Sequence, residues 1–401
     1  MIYDIINMND MLIYRTLTTE LIAMAKSYPV VTVLGPRQSG KTTLVKATFP
    51  QKAYVSLENL DERSFALSDP RGFLARFPKG AIFDEIQRSP ELLSYIQGVV
   101  DEQEIKGQYI LTGSHQFSLH NAISQSLAGR TAVLKLLPLS VKELCDAGIH
   151  LPLNELMCHG MYPRIYKDKL DPFKVYRDYT QTYLERDIRH IINIKDLTLF
   201  HHFLKLCAGR VGQLFNSSAI SNELGVSTNT IREWLSILEA SFVIMRLPPF
   251  YENLGKRLIK SHKIYFTDVG LACYLLDIST PEQLARDPLR GNLFENLVIT
   301  DFIKNLLNIG HEPSCYFYRD SNQNEVDLIF KQANLFIPIE IKSSQTFNPS
   351  FLKGLDYFNQ VQKKTPRGYL IYAGTIQQQV QNYQVINYLN IDKIIRNEKV
   401  L

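Results

Sequence analysis

Eight consecutive residues, Gly35-Pro36-Arg37-Gln38-Ser39-Gly40-Lys41-Thr42, follow the spacing G-x-x-x-x-G-K-[ST]. That spacing suits a polyphosphate. Its glycines let the main chain fold closely around phosphate oxygens, so that successive N–H groups point inward. A helix starting at the end of the loop adds the positive end of its dipole. In this pattern Lys41 reaches the β- and γ-phosphates and Thr42 holds Mg²⁺. The expected contacts to ATP are therefore Gly35 to Thr42, with Thr43 following.

A phosphate loop of this kind needs an acidic partner strand. The segment GAIFDEIQ supplies Asp84 and Glu85 directly after the apolar Ala81-Ile82-Phe83. Asp84 is expected to support the Mg²⁺ shell. Glu85 is expected to polarise the water that attacks the γ-phosphate. A second carboxylate has no obvious duty in passive binding, so the pair points to hydrolysis. Further along, QYILTGSHQFSL offers Thr112 and Ser114 near the γ-phosphate, with Ser114 preferred for contacting the water or the phosphate; the plain alternative is a turn. Arg130 closes SLAGR. It reads equally as an arginine finger, in cis or from a neighbouring subunit, and as a salt-bridge anchor.

A second set of chemically capable residues lies near the C-terminus: Glu295, Asp327, Glu340 and Lys342. Glu340 and Lys342 are two apart on an apolar strand and share a face. In the expected hairpin Asp327 converges on them, and Glu295 approaches from a packed helix. This arrangement resembles the PD-(D/E)xK nuclease core. The resemblance implies a divalent metal held by the three acids, a water activated by it, and a lysine steadying the charged transition state. A binding-only relic of that fold, or a surface ion pair, explains the same residues.

Positioning these groups requires particular elements. Val30–Leu34 is apolar and β-branched, as expected of a buried parallel strand, and a helix is expected from Thr43 to Phe49. Strands are expected at Ala81–Phe83, from Gln108, and at Thr131–Leu137. From about 151 to 210 the chain reads as helices, including Val175–Ile191, with Arg186-Asp187 as a packing ion pair. Residues 216–250 read as a winged helix-turn-helix. Ser217 or Ser218 caps a first helix to Leu224, Gly225 turns, and Ser227 or Thr228 caps a second helix carrying Ile231, Trp234, Leu235 and Leu238. Val243–Leu247 is the strand that follows. Asn229, Thr230 and Arg232 then face a DNA groove, beside a basic wing of Lys256, Arg257, Lys260, His262 and Lys263. Glu233 and Glu239 argue for the alternative, a packing or nucleotide-sensing module. A helix over Gly291–Leu307 and strands at Asn324–Phe330 and Leu335–Ser344 carry the C-terminal acids.

The motifs GPRQSGKTTL, IFDEIQ, LTGSHQFSL and SLAGRTAVLKLLPLSVKEL together resemble a prokaryotic AAA-like P-loop ATPase family with a C-terminal domain of unknown function. The resemblance covers nearly the whole chain. It implies a sheet in which acid and sensor strands are inserted between the phosphate strand and its neighbours.

Bulk properties agree with a cored α/β protein. Of 401 residues, 45% are hydrophobic and 21% charged, enough apolar content for two or three domains. The net charge of +4 permits a nucleic-acid partner without demanding one. The five cysteines contain no CxxC pair, which fits reduced thiols better than a disulfide framework or a zinc site, and Cys158-His159 lacks a second ligand pair at zinc spacing. No apolar run is long enough for a membrane span, and the N-terminus does not read as a secretory signal. The expectation is a cytoplasmic protein in three parts: an AAA-like P-loop ATPase domain (1–150), a helical and winged-helix segment (151–285) and a nuclease-like α/β domain (286–401). ATP and Mg²⁺ are the expected cofactors. Double-stranded DNA, a protein partner and a second copy of the chain are the candidate partners.

Overall fold

A computed structural model describes residues 12–114, 125–184, 197–250, 261–362, 365 and 367–397. Two large sheets and a small one organise the chain. The first contains β1 (Val30–Leu34), β2 (Ala53–Ser56), β3 (Ala81–Asp84), β4 (Tyr109–Gly113) and β5 (Thr131–Lys135). All its pairings are parallel, and the spatial order is β2-β3-β4-β1-β5. β4 thus lies between the phosphate strand β1 and the acid strand β3, as the sequence motifs imply. Every residue of β1, β3 and β4 is buried, which explains their unbroken apolar runs: helices cover both faces of a parallel sheet. β5 ends at Lys135, two residues earlier than its apolar run suggests, although Leu136 and Leu137 are buried and the Leu136 N–H still donates to the carbonyl of Leu34 (2.7 Å).

The middle of the chain is helical, with Leu153–His159, Pro163–Lys167, Pro172–Tyr179 and Leu197–Ala208 as separate helices. The α-helix expected over Val175–Ile191 ends at Tyr179 and continues as a π-turn, Thr180–Leu184. Arg186 and Asp187 lie outside the described residues. Helices Ser217–Leu224 and Thr228–Ala240 flank Gly225, whose φ of 68° makes the turn. The first is capped by Asn216, not by either serine: its side chain accepts from the N–H groups of Ser218 and Ala219. Ser227 caps the second, accepting from Thr230. Ile231, Trp234, Leu235 and Leu238 are buried, while Asn229, Arg232 and Glu233 are exposed. An antiparallel pair follows, β6 (Ile244–Leu247) and β7 (Lys263–Phe266). Lys256, Arg257 and Lys260 lie outside the described residues.

The third sheet contains β8 (Cys315–Arg319), β9 (Glu325–Gln332), β10 (Leu335–Lys342), β11 (Gly368–Tyr372), β12 (Gln378–Val380) and β13 (Tyr383–Asn387), in the order β12-β13-β11-β10-β9-β8. It is mixed: β9 and β10 form an antiparallel hairpin, while β10, β11 and β13 run parallel. The 19-residue helix Arg290–Asn308 is buried over most of its length and joins the parts. Its Asp301 accepts from the N–H of Val141 (2.7 Å), and its Lys304 donates to the carbonyl of Leu139 (3.1 Å). No described helix is long and apolar enough to cross a membrane.

Candidate active site

The loop after β1 is shaped by steric demands on its glycines. A Cβ on Gly35 would stand 2.0 Å from the carbonyl oxygen of Leu136, so the loop can leave β1 only through a residue without a side chain. Gly40 has φ +92° and starts the helix Lys41–Thr48. Gln38, at φ 62°, is left-handed without being glycine. Lys41 is buried and donates to the carbonyls of Gly35 (2.9 Å) and Pro36 (2.8 Å), so its ammonium lies across the loop's mouth. The buried Oγ of Ser39 has no protein hydrogen-bond partner.

Asp84 and Glu85 diverge at the end of β3. Asp84 accepts from Thr42 Oγ1 (3.0 and 2.9 Å), from the Tyr54 hydroxyl (2.8 Å) and from Thr112 Oγ1. Burial first, then the Asp84 carboxylate, pushes the Tyr54 hydroxyl well above its ordinary pKa. Glu85 has φ 58°, a costly conformation for a residue with a side chain. Its N–H donates to Thr112 Oγ1 (3.2 Å). Ser114 Oγ donates to its carboxylate (3.0 Å), and Gln87 Nε2 bonds both that carboxylate and Ser114 Oγ, the latter at 2.9 Å. β3 and β4 thereby bring Asp84, Glu85, Thr112 and Ser114 to one end of the sheet. A cavity of about 660 Å³ opens beside them, lined by Arg15, Arg37, Lys41, Thr42, Glu85 and Lys167 among others.

These residues fit ATP and Mg²⁺. The lining is cationic around an inward-folded loop, an unpartnered hydroxyl at Ser39 is available to a phosphate oxygen, and Thr42 with Asp84 forms the hard-oxygen pair that Mg²⁺ prefers. Arg37 pairs loosely with Glu58 (3.4 Å) on the cavity wall.

Arg130 is not brought to this site. Val30 and Thr131 are register partners at the start of their strands, while the phosphate loop leaves the other end of β1. Five residues of strand, about 16 Å, separate the two ends. The Arg130 guanidinium is bonded to Asp101 (2.5 and 2.8 Å). This removes the finger role within one chain and favours the anchor.

The C-terminal acids meet only in part. Asp327 accepts from the N–H of Ile341 (2.8 Å), and Lys342 Nζ lies 2.5 Å from Glu340 and 3.6 Å from Asp327. Glu295 is instead engaged from the other side. It accepts from Lys263 Nζ (3.1 Å) and the Tyr265 hydroxyl (2.5 Å), and Lys263 also pairs with Glu325 (2.5 Å). Among the described residues no group of three or more His, Cys, Asp or Glu side chains is placed to hold a metal ion. The expected three-acid metal site of Glu295, Asp327 and Glu340 does not form such a group: the three carboxyls interact electrostatically, and Glu295 is paired with the buried Lys263. Lys263, expected in a DNA-facing wing, is buried at 3% exposure in this cluster. Burial, followed by repulsion from Asp327, raises Glu340 to about 8; burial also raises Glu295, to about 7, with Lys263 opposing. Burial weakens the charge on Lys263, yet Glu295, Asp327 and Glu325 outweigh it and its pKa is raised.

Comparison with known proteins agrees with this architecture. Residues 27–145 match the family described as an AAA domain, 151–282 a domain of unknown function (DUF8612), and 290–392 a second domain of unknown function (DUF4143). An uncharacterized protein of Mycobacterium tuberculosis, and one of Mycobacterium bovis, are each 30% identical over 328 residues, covering 79% of this chain and 71% of theirs. The chain belongs to their family. An uncharacterized protein of Haemophilus influenzae is 23% identical over 358 residues, covering 80% of this chain and 84% of its own. Among solved structures, a Walker-type ATPase of Pyrococcus abyssi is similar at a TM-score of 0.44 and 17% identity, over 65% of this chain and 94% of that one. The Thermotoga maritima RuvB Holliday junction branch migration motor is similar at 0.31 and 20% identity, over 59% and 90%.

Residues 27–145 of the chain are thus an AAA domain of P-loop ATPase type. Several site residues escape a reading of the sequence alone. Gln87 and Tyr54 carry no motif signal, although Gln87 stands two residues after Glu85. Arg15 lies in an apolar opening stretch and reaches the loop only through the fold: its Nη1 donates to the carbonyl of Ser39 (2.6 Å).

Proposed function

We propose that the chain binds ATP with Mg²⁺ and hydrolyses it. The observation that carries this reading is the Glu85 carboxylate, held by Ser114 and Gln87 in a left-handed backbone conformation beside the Thr42–Asp84 pair. Mg²⁺ bound there would supply charge neutralisation on the phosphates. Lys41 and the loop N–H groups orient the polyphosphate. Thr42 and Asp84 hold the metal side. Glu85 accepts the proton of the attacking water, and Ser114 steadies that carboxylate in position. The three parts of the chain, 1–150, 151–285 and 286–401, then act as motor, helix-turn-helix segment and tail.

The work that hydrolysis drives is assigned to duplex DNA. Asn229 and Arg232 are exposed at the start of the helix after Gly225, the end that meets base edges in helix-turn-helix proteins. The test is ATP turnover with Mg²⁺, with and without double-stranded DNA at low salt, for wild type and Glu85→Gln. Turnover that rises with DNA and vanishes in the variant supports the reading. Turnover indifferent to DNA overturns the DNA assignment and leaves ATP hydrolysis standing.

A second reading is favoured by Lys263. With its ammonium between Glu295 and Glu325, the tail is a closed acid cluster, which suits a nucleotide-controlled assembly protein whose nuclease-like tail binds a protein partner. Sedimentation that does not change with ATP counts against it.

A further inference from the structure

Cys158 and Cys273 are 115 positions apart in a chain whose cysteines form no local pair, yet they meet. Their helices, Leu153–His159 and Val269–Leu275, touch through glycines: a Cβ on Gly160 would stand 2.9 Å from Cα of Gly270, and one on Gly270 would stand 2.8 Å from Cα of Gly160. Cys158 is two residues before the first glycine and Cys273 three after the second. Cys273 Sγ lies 3.6 Å from the carbonyl oxygen of Met157, the residue before Cys158, and the two thiols are near enough to shift each other's pKa. Asp268 locks this contact, accepting from the N–H groups of Met161 (2.6 Å) and Leu271 (2.9 Å) and from the Tyr176 hydroxyl (2.6 Å).

The two sulfurs differ in access. Cys273 is buried, whereas Cys158 is half-buried and lines a cavity of about 280 Å³ with His159, Phe173, Tyr176 and Tyr274. Among the described residues Cys158 and His159 belong to no group placed to hold a metal ion, and His159 Nδ1 lies 2.9 Å from the carbonyl oxygen of Glu155.

We propose that Cys158 and Cys273 are a peroxide-sensitive dithiol, with Cys158 as the attacking and Cys273 as the resolving sulfur. The Cys158 thiolate attacks one oxygen of hydrogen peroxide, entering through the cavity. The O–O bond breaks, Cys158 becomes a sulfenic acid, and the departing hydroxide takes up the proton that Cys158 released. Cys273 sulfur then attacks the sulfenic sulfur. The S–S bond forms, and the sulfenic oxygen leaves as a second water with the Cys273 proton. Two electrons pass from the thiols to the peroxide, and two waters result. Cys158, the half-buried sulfur that lines the cavity, is the accessible one and so the nucleophile, while Cys273 is buried behind it. A disulfide needs sulfurs about 2.05 Å apart, and the close approach of the two helices at Gly160 and Gly270 brings both cysteines to the same place.

The test uses the full chain and counts thiols. Peroxide treatment followed by alkylation and peptide mapping is expected to reduce the five free thiols to three and to yield one cross-linked peptide pair joining Cys158 to Cys273, reversed by dithiothreitol. Cys158→Ser is expected to keep its four thiols through the same treatment. The proposal is overturned if five thiols survive, if Cys158 oxidises to a sulfinic acid without cross-linking, or if either cysteine pairs with Cys145.

Discussion

Arg15 and Glu143 form a buried ion pair at 3.1 Å across 128 residues of sequence, and through it the phosphate loop is tied to the rest of the protein. The Arg15 fork also donates to the carbonyls of Ser39 (2.6 Å) and Leu137 (2.7 Å). Glu143 accepts from the N–H groups of Thr16 (2.8 Å) and Ser140 (2.9 Å), and Asn308 of the tail helix approaches it at 3.5 Å. Arg15→Met leaves Glu143 buried without its cation. We expect a loss of about 3–5 kcal/mol in urea unfolding, together with weaker ATP binding, because the Ser39 carbonyl loses the donor that sets the loop. Calorimetric titration with a non-hydrolysable ATP analogue checks the second effect.

Glu85→Gln keeps the size of the side chain and removes its basicity. Turnover is expected to fall by about 10²–10⁴-fold, the usual contribution of a positioned general base, with nucleotide affinity retained. Ser114→Ala is expected to fall less, since Gln87 still contacts the carboxylate. Single-turnover kinetics beside a binding titration separates the two effects. A Glu85→Gln variant of undiminished rate assigns the water to another residue.

Arg130→Ala is expected to leave turnover of dilute protein unchanged, because the guanidinium is bonded to Asp101 at the far end of β5. A dilution series tests this. If wild-type specific activity climbs with concentration while the variant stays flat, Arg130 acts on a neighbouring copy.

Acidity in the tail has a definite sign. Glu340 and Glu295 titrate near about 8 and about 7 in the fold, both above an unfolded glutamate at about 4.3. The folded state therefore binds more protons than the unfolded state between those values, and stability falls as pH rises from about 5 to about 8. Thermal melting across that range is expected to show the decline, and Glu340→Gln is expected to flatten it. A variant curve parallel to wild type would refute the assignment to Glu340.

Lys263→Met removes the cation between Glu295 and Glu325 and is expected to lower the melting temperature markedly at neutral pH. With Lys263 in place, the chain is expected to leave supercoiled plasmid intact in the presence of Mg²⁺ or Mn²⁺. Nicking that Asp327→Ala abolishes would restore the nuclease reading.

Local patterns were legible because local chemistry enforces them. An apolar, β-branched run such as Val30–Leu34 has few alternatives to a buried strand, and the glycine and lysine spacing of the loop names its own ligand class. Asp84 and Glu85 were readable for the same reason: acids placed directly after a buried strand emerge at its end. The two helices around Gly225 were readable from their apolar spacing, although the cap moved from serine to Asn216, whose carbonyl reaches two N–H groups at once.

The amino-acid order by itself determined the phosphate loop, the acidic strand beside it, the element sequence and the strand carrying Glu340 and Lys342. These features depend on neighbours within a few residues, where backbone geometry dictates what each side chain can face. Tertiary structure alone decided that Arg130 lies away from the nucleotide cavity, that Arg15 holds the loop, that Lys263 enters the acid cluster, and that the helices of Cys158 and Cys273 pack together. Each of these joins residues tens to more than a hundred positions apart. Such pairs follow from how buried faces pack, and no spacing in the chain records them.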